Sequence, residues 1–334
     1  MAYIKLDKSN LILNLNILAR KAGSKEKIAV VLKDNAYGHG ILEIAKIASE
    51  FGIKEAVVAS FSEALKIKSY FKNILILGGE VVKDSKFSFA INDFESIKRL
   101  PKNLKLELKV DTGMHRNGIS FDQLKDALKL IKQKELNLIG IMTHYRCADE
   151  LSSEYFWQKK RFEEVKKIAF EMGFFNLRFH SHNSAALLRS SKFNEDIARV
   201  GIAIYGYNPL PKCFGDFNLK PVLSLWAKRV SSKILRAGER VGYGGDFIVK
   251  QEGIYSTYDL GYGDGWPRGD SKKAYILPDG KKIVGRVSMD FITLKTDEEE
   301  VCIMDNAEVA SKQFDTISYE MTTQLSPSIK RIVV

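Results

Sequence analysis

Residues 28–40 read IAVVLKDNAYGHG, and the change of texture inside this stretch decides how the rest of the chain folds. The five residues Ile28 to Leu32 are apolar without alternation, which predicts a strand buried on both faces, as in parallel sheets. At Lys33 the run gives way to a polar loop carrying Tyr37, Gly38, His39 and Gly40. An amine held where a buried strand ends is partly desolvated. Desolvation disfavours the ammonium and leaves a nucleophile suited to tethering a carbonyl cofactor. The same position also suits an ordinary lysine capping a strand.

Working outward, short apolar runs recur as EAVVAS at 55, ILILG at 74, FSFAI at 87, LKLELKV at 104, LIGIMTH at 138, LRFHS at 177 and IARVGIAIYG at 197. With the first run they make eight candidate strands, and helical patterns such as Ile41 to Phe51, Phe121 to Lys132 and Tyr155 to Gly173 lie between them. Alternating strand and helix implies parallel pairing through right-handed crossovers. Eight such units in about 205 residues match the lower size range of a closed (β/α)8 TIM-like barrel. A doubly wound open sheet is the competing arrangement.

After Pro209-Leu210-Pro211 the long helical patterns stop and β-type segments separated by glycines take over. An α/β barrel over residues 1–220, the cofactor-binding domain, followed by a mostly β C-terminal domain over 221–334, is the expected organisation. Gly244-Gly245, Asp264-Gly265 and Asp279-Gly280 are read as hairpin turns. Tyr3, Ile4 and Leu6 alternate with Lys5 and Asp7, so residues 1–8 are expected to lend a strand to the β domain.

Composition narrows the function. The chain has 334 residues, 45% of them hydrophobic and 28% charged, in the range of compact globular proteins. No apolar run approaches the roughly 18 residues of a membrane span, and MAYIKLDKSN lacks the apolar core of a secretory signal. Cys147, Cys213 and Cys302 form no CxxC pair, which argues against a disulfide framework and for a reducing, cytoplasmic setting. The net charge of +11 is spread among glutamates rather than gathered into a basic block. That pattern argues against nucleic-acid binding and for a mild preference for small anions such as a phosphate or a carboxylate.

In an eight-fold barrel the chemistry sits where strands end. Lys33 closes the first run, Lys109 and Asp111 the fifth, His144 the sixth, His180 and His182 the seventh, and Arg199 lies in the eighth. His180, His182 and His144 could form a metal cluster, but no cysteine or paired carboxylate stands at ligand spacing, so no metal is expected. Asn183-Ser184 opens a helical pattern where backbone amides can bind an anion, and Gly201-Ile202 offers a second backbone approach. A plain N-cap explains Asn183 or Ser184 equally well.

Together these residues resemble one family, the fold-type III pyridoxal-phosphate-dependent alanine racemases. The resemblance spans nearly the whole chain. It rests on VVLKDNAYGHG, KVDTGMHRNG at 109, MTHYRCADE at 142, HSHNSAA at 180, RVGIAIYG at 199, VGYGGDF at 241, LGYGDGWPR at 260 and GRVSMD at 285. It implies that Lys33 holds pyridoxal 5'-phosphate as an aldimine and serves one face of the alanine α-carbon, while Tyr262 serves the other. Moving a proton across a carbon needs a base on each side. A phenol with a reference pKa of about 10 would need cationic neighbours to be one of them.

The resemblance further implies that His144 and Arg199 share a hydrogen-bond chain to the pyridine nitrogen, and that Tyr37, Ser184, Gly201 and Ile202 hold the phosphate with Asn183 adjacent. Arg116 would orient the substrate carboxylate, Met289 would offer it a backbone amide, and Asp290 would support the pocket. In several relatives the lysine matching Lys109 is carbamylated. Tyr262 and Met289 reach the partner subunit's site in this family, so a homodimer with shared active sites is implied, supplying D-alanine for peptidoglycan. Two positions depart from the pattern: Pro327 stands where relatives carry a phosphate-binding tyrosine, and His182 replaces a small residue, adding a cation or filling space. Broader-specificity racemisation, of serine for instance, a non-catalytic cofactor-binding protein and a related decarboxylase are the competing functions.

Overall fold

A computed structural model describes residues 1–269 and 273–334, which divide into two compact units. One comprises Leu11–Ala36 and Ile44–Lys220, the other Met1–Asn10, Tyr37–Glu43 and Pro221–Val334. None of the described helices is long and apolar enough to cross a membrane.

The first unit is a nearly closed barrel of eight parallel strands: Ile28–Val31, Glu55–Val58, Asn73–Ile76, Phe87–Ile91, Lys105–Asp111, Leu138–Met142, Arg178–His180 and Ala198–Val200. They pair in that order, and the eighth pairs with the first, Ala198 opposite Ile28 and Val200 opposite Val30. Between the seventh and eighth strands two backbone hydrogen bonds stand where a ladder would run, Asp196 N–H to the Phe179 carbonyl (3.2 Å) and Arg199 N–H to the His182 carbonyl (2.9 Å). The apolar first run is buried throughout. Burying side chains of this size stabilises by about 1.5–3 kcal/mol each.

Helices Ile41–Phe51, Leu124–Gln133 and Glu154–Glu171 form where the apolar period of 3.6 was read. In Leu124–Gln133 the residues Leu124, Ala127, Leu128 and Ile131 make the buried stripe. The short helix Ser184–Arg189 is capped by Asn183, whose side-chain oxygen accepts from the Ala186 N–H at 2.9 Å.

The second unit is built on a six-stranded sheet around the long strand Leu223–Leu235, which pairs antiparallel with Tyr3–Leu6, Gly253–Tyr258 and Glu300–Met304. Lys330–Val333 lies parallel to Tyr3–Leu6, and Ile292–Leu294 pairs with Gly253–Tyr258. Two short helices, Ala307–Gln313 and Ser318–Thr323, interrupt the β texture. Gly244-Gly245 lies between the paired strands Arg240–Val241 and Phe247–Ile248. Asp264-Gly265, expected as a hairpin, instead closes a one-turn helix over Tyr262–Asp264, with Gly265 in the left-handed region at φ 84°.

Candidate active site

Just past Lys33 the backbone does something the sequence does not announce. Asp34, Asn35, Ala36 and Tyr37 all have φ between 53° and 55°, a left-handed turn made without glycine. Each such residue costs roughly 1–2 kcal/mol, so the turn needs anchors. The Glu63 carboxylate supplies one, accepting the Asp34 N–H at 2.7 Å and the Ala59 N–H at 2.9 Å. The Ala36 N–H reaches the Leu32 carbonyl at 2.9 Å. Lys33 Nζ lies 3.2 Å from the Asp34 carboxylate, with the lysine side chain 38% exposed.

Around Lys33 the barrel unit gathers cationic groups from separate strand ends. Burial, with Arg199, Arg116, Lys109 and Lys33 all adding, pushes His144 down to about 3, so its ring is neutral near pH 7. Burial pushes the Lys109 ammonium down to about 8, with Arg116 and Arg199 reinforcing it. Burial likewise lowers Arg199 to about 10. The loop carrying Arg116 is shaped by Asp111, whose carboxylate accepts from the N–H groups of Gly113 (2.9 Å) and His115 (3.1 Å). Lys109 donates to the Asn117 side-chain oxygen, and Asn117 is tied to Asn92 at 3.2 Å.

Arg199 is buried and thoroughly engaged. Its Nη1 lies 2.6 Å from His180 Nδ1 and donates to the His180 carbonyl at 2.7 Å, while Nη2 donates to the Thr143 carbonyl at 2.6 Å. The imidazole bonded to Arg199 is thus His180, whereas His144 is coupled to it through charge. Beside this group the Ser184 hydroxyl accepts from the Gly201 N–H (3.0 Å) and the Ala203 N–H (3.4 Å), which brings Ser184, Gly201 and Ile202 together at the last two strand ends. His182 fills space: its ring meets Phe193 and Tyr145 edge-on, Nδ1 lies 3.0 Å from Glu195 and Nε2 lies 3.2 Å from the Ser190 hydroxyl.

The second unit carries the other candidates. The Tyr262 N–H donates to the Ser288 carbonyl (3.1 Å) and the Gly263 N–H to the Met289 carbonyl (2.8 Å), so Tyr262, Met289 and Asp290 lie on two zipped segments. Tyr262 is 43% and Met289 56% exposed in the single chain. Tyr37 packs against Tyr319 with ring centroids 5.9 Å apart. Next to it Gly38, at φ 80°, leaves no room for a Cβ against the Thr322 carbonyl. Pro327 sits in a loop whose carbonyl accepts from Arg331 (3.0 Å), and Arg331 also donates to the Gly38 carbonyl (2.9 Å).

Sequence reading missed Glu63, Asn117, Glu195 and above all Glu107, which is fully buried. A signal for the last existed. In LKLELKV the charges fall on alternate residues, and inside a barrel both faces of a strand are covered.

The model of the alanine racemase N-terminal domain matches residues 6–209, and that of the alanine racemase C-terminal domain matches 222–333. The alanine racemase of Campylobacter concisus is 45% identical over 99% of both chains, and that of a Nitratiruptor species 46% identical over 99% of both. Among solved structures, alanine racemase from Clostridium difficile 630 superposes with a TM-score of 0.91 at 26% identity, covering all of this chain and 95% of that one. The Bacillus anthracis alanine racemase with bound L-Ala-P gives a TM-score of 0.90 at 29% identity, with the same coverage. With both domain models matched and full-length relatives at this identity, the chain belongs to the alanine racemase family.

Proposed function

We propose that this chain interconverts L-alanine and D-alanine with pyridoxal 5'-phosphate as cofactor. The observation that carries the reading is the concentration of cationic groups at the barrel's strand ends. Lys33, Lys109, Arg116 and Arg199 all act on a half-buried, neutral His144. Such a donor set fits an anionic phosphate and a substrate carboxylate, which repay the cost of crowding like charges.

The Ser184 hydroxyl and the backbone at Gly201 and Ile202 would hold the phosphate, with Asn183 and Tyr37 alongside. Arg199 would face the ring nitrogen. When bound, the cofactor supplies a carbonyl that takes the substrate amine and a ring that withdraws electrons from the α-carbon. Lys33 would anchor the cofactor and move a proton on one face, and the Tyr262 phenol would do so on the other. Arg116 and the Met289 amide would fix the carboxylate, with Asp290 supporting them. Residues 1–220 would thus bind the cofactor, and residues 221–334 would supply the opposing base.

The exposure of Tyr262 and Met289 in a single chain supports a homodimer in which a second copy encloses them. D-alanine made in the cytoplasm would serve peptidoglycan.

Two variants test the scheme. Lys33→Ala is expected to lose both the visible absorption of the bound cofactor and racemisation; retention of both would sink the assignment. Tyr262→Phe in deuterated solvent is expected to lose α-proton exchange from L-alanine while exchange from D-alanine persists. Equal exchange from both enantiomers would rule out a two-base scheme. A panel of L-amino acids with and without added cofactor separates alanine from serine or larger substrates, a distinction worth only about 1–3 kcal/mol per methylene.

A further inference from the structure

Behind Arg199 runs a line of charged groups, Glu55, Arg178 and Glu107, to which the proposed function gives no role. Arg178 Nη1 donates to Glu55 at 3.0 Å, and its Nε (3.3 Å) and Nη2 both donate to Glu107. Glu107 also accepts the Ser88 hydroxyl at 2.8 Å, and its Oε2 lies 2.5 Å from His180 Nε2. On the other side of that ring, Nδ1 is 2.6 Å from Arg199 Nη1. Charge therefore alternates along the line: Glu55 negative, Arg178 positive, Glu107 negative, then the imidazole, then Arg199 positive.

The direction of these bonds is fixed by chemistry. A guanidinium has only N–H donors, so at the Arg199 contact His180 Nδ1 must accept through its lone pair. The single ring proton is then on Nε2, where it meets a carboxylate that can only accept. A doubly protonated ring would set N–H against N–H at Arg199. A proton on Nδ1 alone would do the same and also leave two lone pairs facing each other at Glu107. One protonation state of the three satisfies both ends.

We infer that Glu107 is a positioning residue: acting through the Nε2–H form of His180, it fixes Arg199 as an oriented, protonated donor, while Arg178, itself held by Glu55, keeps Glu107 ionised. The consequence for catalysis rests on the function proposed above; the proton's location does not.

Two further observations agree. Burial alone would raise the Glu107 carboxyl, but the Arg178 charge and the hydrogen bonds from Arg178 and from the His180 Nε2–H outweigh it and hold the group well below the usual carboxylate range. Burial lowers His180, which favours the neutral ring. Space is also reserved for the line, because a Cβ at Gly140 would lie 2.7 Å from Arg178 Cγ and 3.1 Å from Glu107 Oε2.

The test is imidazole nitrogen NMR on the full chain at pH 7, with and without pyridoxal phosphate, using His180→Gln to assign the signal. The expected pattern is a protonated Nε2 and a bare Nδ1. In Glu107→Gln the amide can donate to the ring. The proton is then expected to move to Nδ1 or to be shared, with kcat falling about tenfold or more and KM for alanine changing less than about threefold. A His180 in the unsubstituted protein that is doubly protonated or carries its proton on Nδ1 overturns the inference, whether or not Glu107→Gln folds. So does a Glu107→Gln protein that keeps both the Nε2–H pattern and its kcat. If the chain does not turn over alanine, the nitrogen spectrum still decides the proton's place.

Discussion

Gly261→Ala should cripple the enzyme although it adds a single methyl group one residue away from Tyr262. The backbone at Gly261 has φ −148°, extended geometry that any residue adopts, so conformation does not demand glycine there. Space does. A Cβ at this position would lie 2.5 Å from the Asp290 nitrogen and closer still to the Met289 carbonyl. Restoring ordinary contact at about 3.5 Å means parting the two segments by about 1 Å or more. That movement strains two hydrogen bonds, Tyr262 N–H to Ser288 and Gly263 N–H to Met289, each worth about 1 kcal/mol. Overpacking adds about 1–3 kcal/mol.

A displacement of about 1 Å in a group that must meet a substrate carbon costs about a hundredfold in rate. The enantiomers of alanine have equal energy, so kcat/KM must fall by the same factor in both directions. Racemisation followed by optical rotation from each enantiomer measures this, with thermal unfolding recorded alongside. Gly263→Ala is the internal control: its Cβ would lie 3.1 Å from the Met289 carbonyl and 3.4 Å from Met289 Cγ, so a shift of a few tenths of an ångström accommodates it. Its expected loss is about fivefold or less. If Gly261→Ala retains kcat/KM within about threefold of the parent, or if the order of the two variants is reversed, Tyr262 and Met289 do not depend on this zipped pair of segments.

Three other outcomes follow from named contacts. Glu63→Ala removes the acceptor for two backbone N–H groups beside the left-handed turn, and should weaken pyridoxal phosphate binding about tenfold in an absorption titration; unchanged affinity would mean the turn is held by other groups. The Glu195 carboxyl, which burial alone would raise, is brought from 4.5 to about 2 by His182, Ser181 and Lys166, worth about 3 kcal/mol; this stability is fully present above pH 4.5 and lost as pH falls toward 2. Glu195→Gln should therefore be less stable than the parent at pH 7 and nearly equal to it near pH 2 in denaturant titrations, and a gap independent of pH would contradict the assignment. With Lys109 lowered to about 8, its neutral amine becomes available to carbon dioxide near that pH, so 13C-bicarbonate should give a carbamate carbonyl signal that grows through pH 8 and is missing in Lys109→Ala. Equal signals from the two proteins would refute it.

What could be read in the residues and what could not divide along a physical line. Residues that end a strand were legible, because an apolar run that stops at Lys33, Lys109 or His144 locates the rim by local pattern alone. Conformation after the strand was not: Asp34 to Tyr37 adopt positive φ without the glycine that usually signals it, and their anchor, Glu63, lies 29 residues on from Asp34. Nor was the meaning of a charge inside a strand. Lys105, Glu107 and Lys109 alternate with Leu106, Leu108 and Val110, a pattern that in an open antiparallel sheet marks a solvated face. The same alternation becomes a barrel interior once Ala198–Val200 pairs with Ile28–Val31, and that pairing joins residues about 170 positions apart. Closure thus converts Glu107 from a surface residue into a buried charge, and a buried charge survives only with partners. Arg178 and His180 arrive on a strand some 70 residues later, and Glu55 lies about 50 residues earlier, so no local window contains the network. A carboxylate in an alternating strand of an eight-fold repeat is therefore best read as a search for its cation on the other strands.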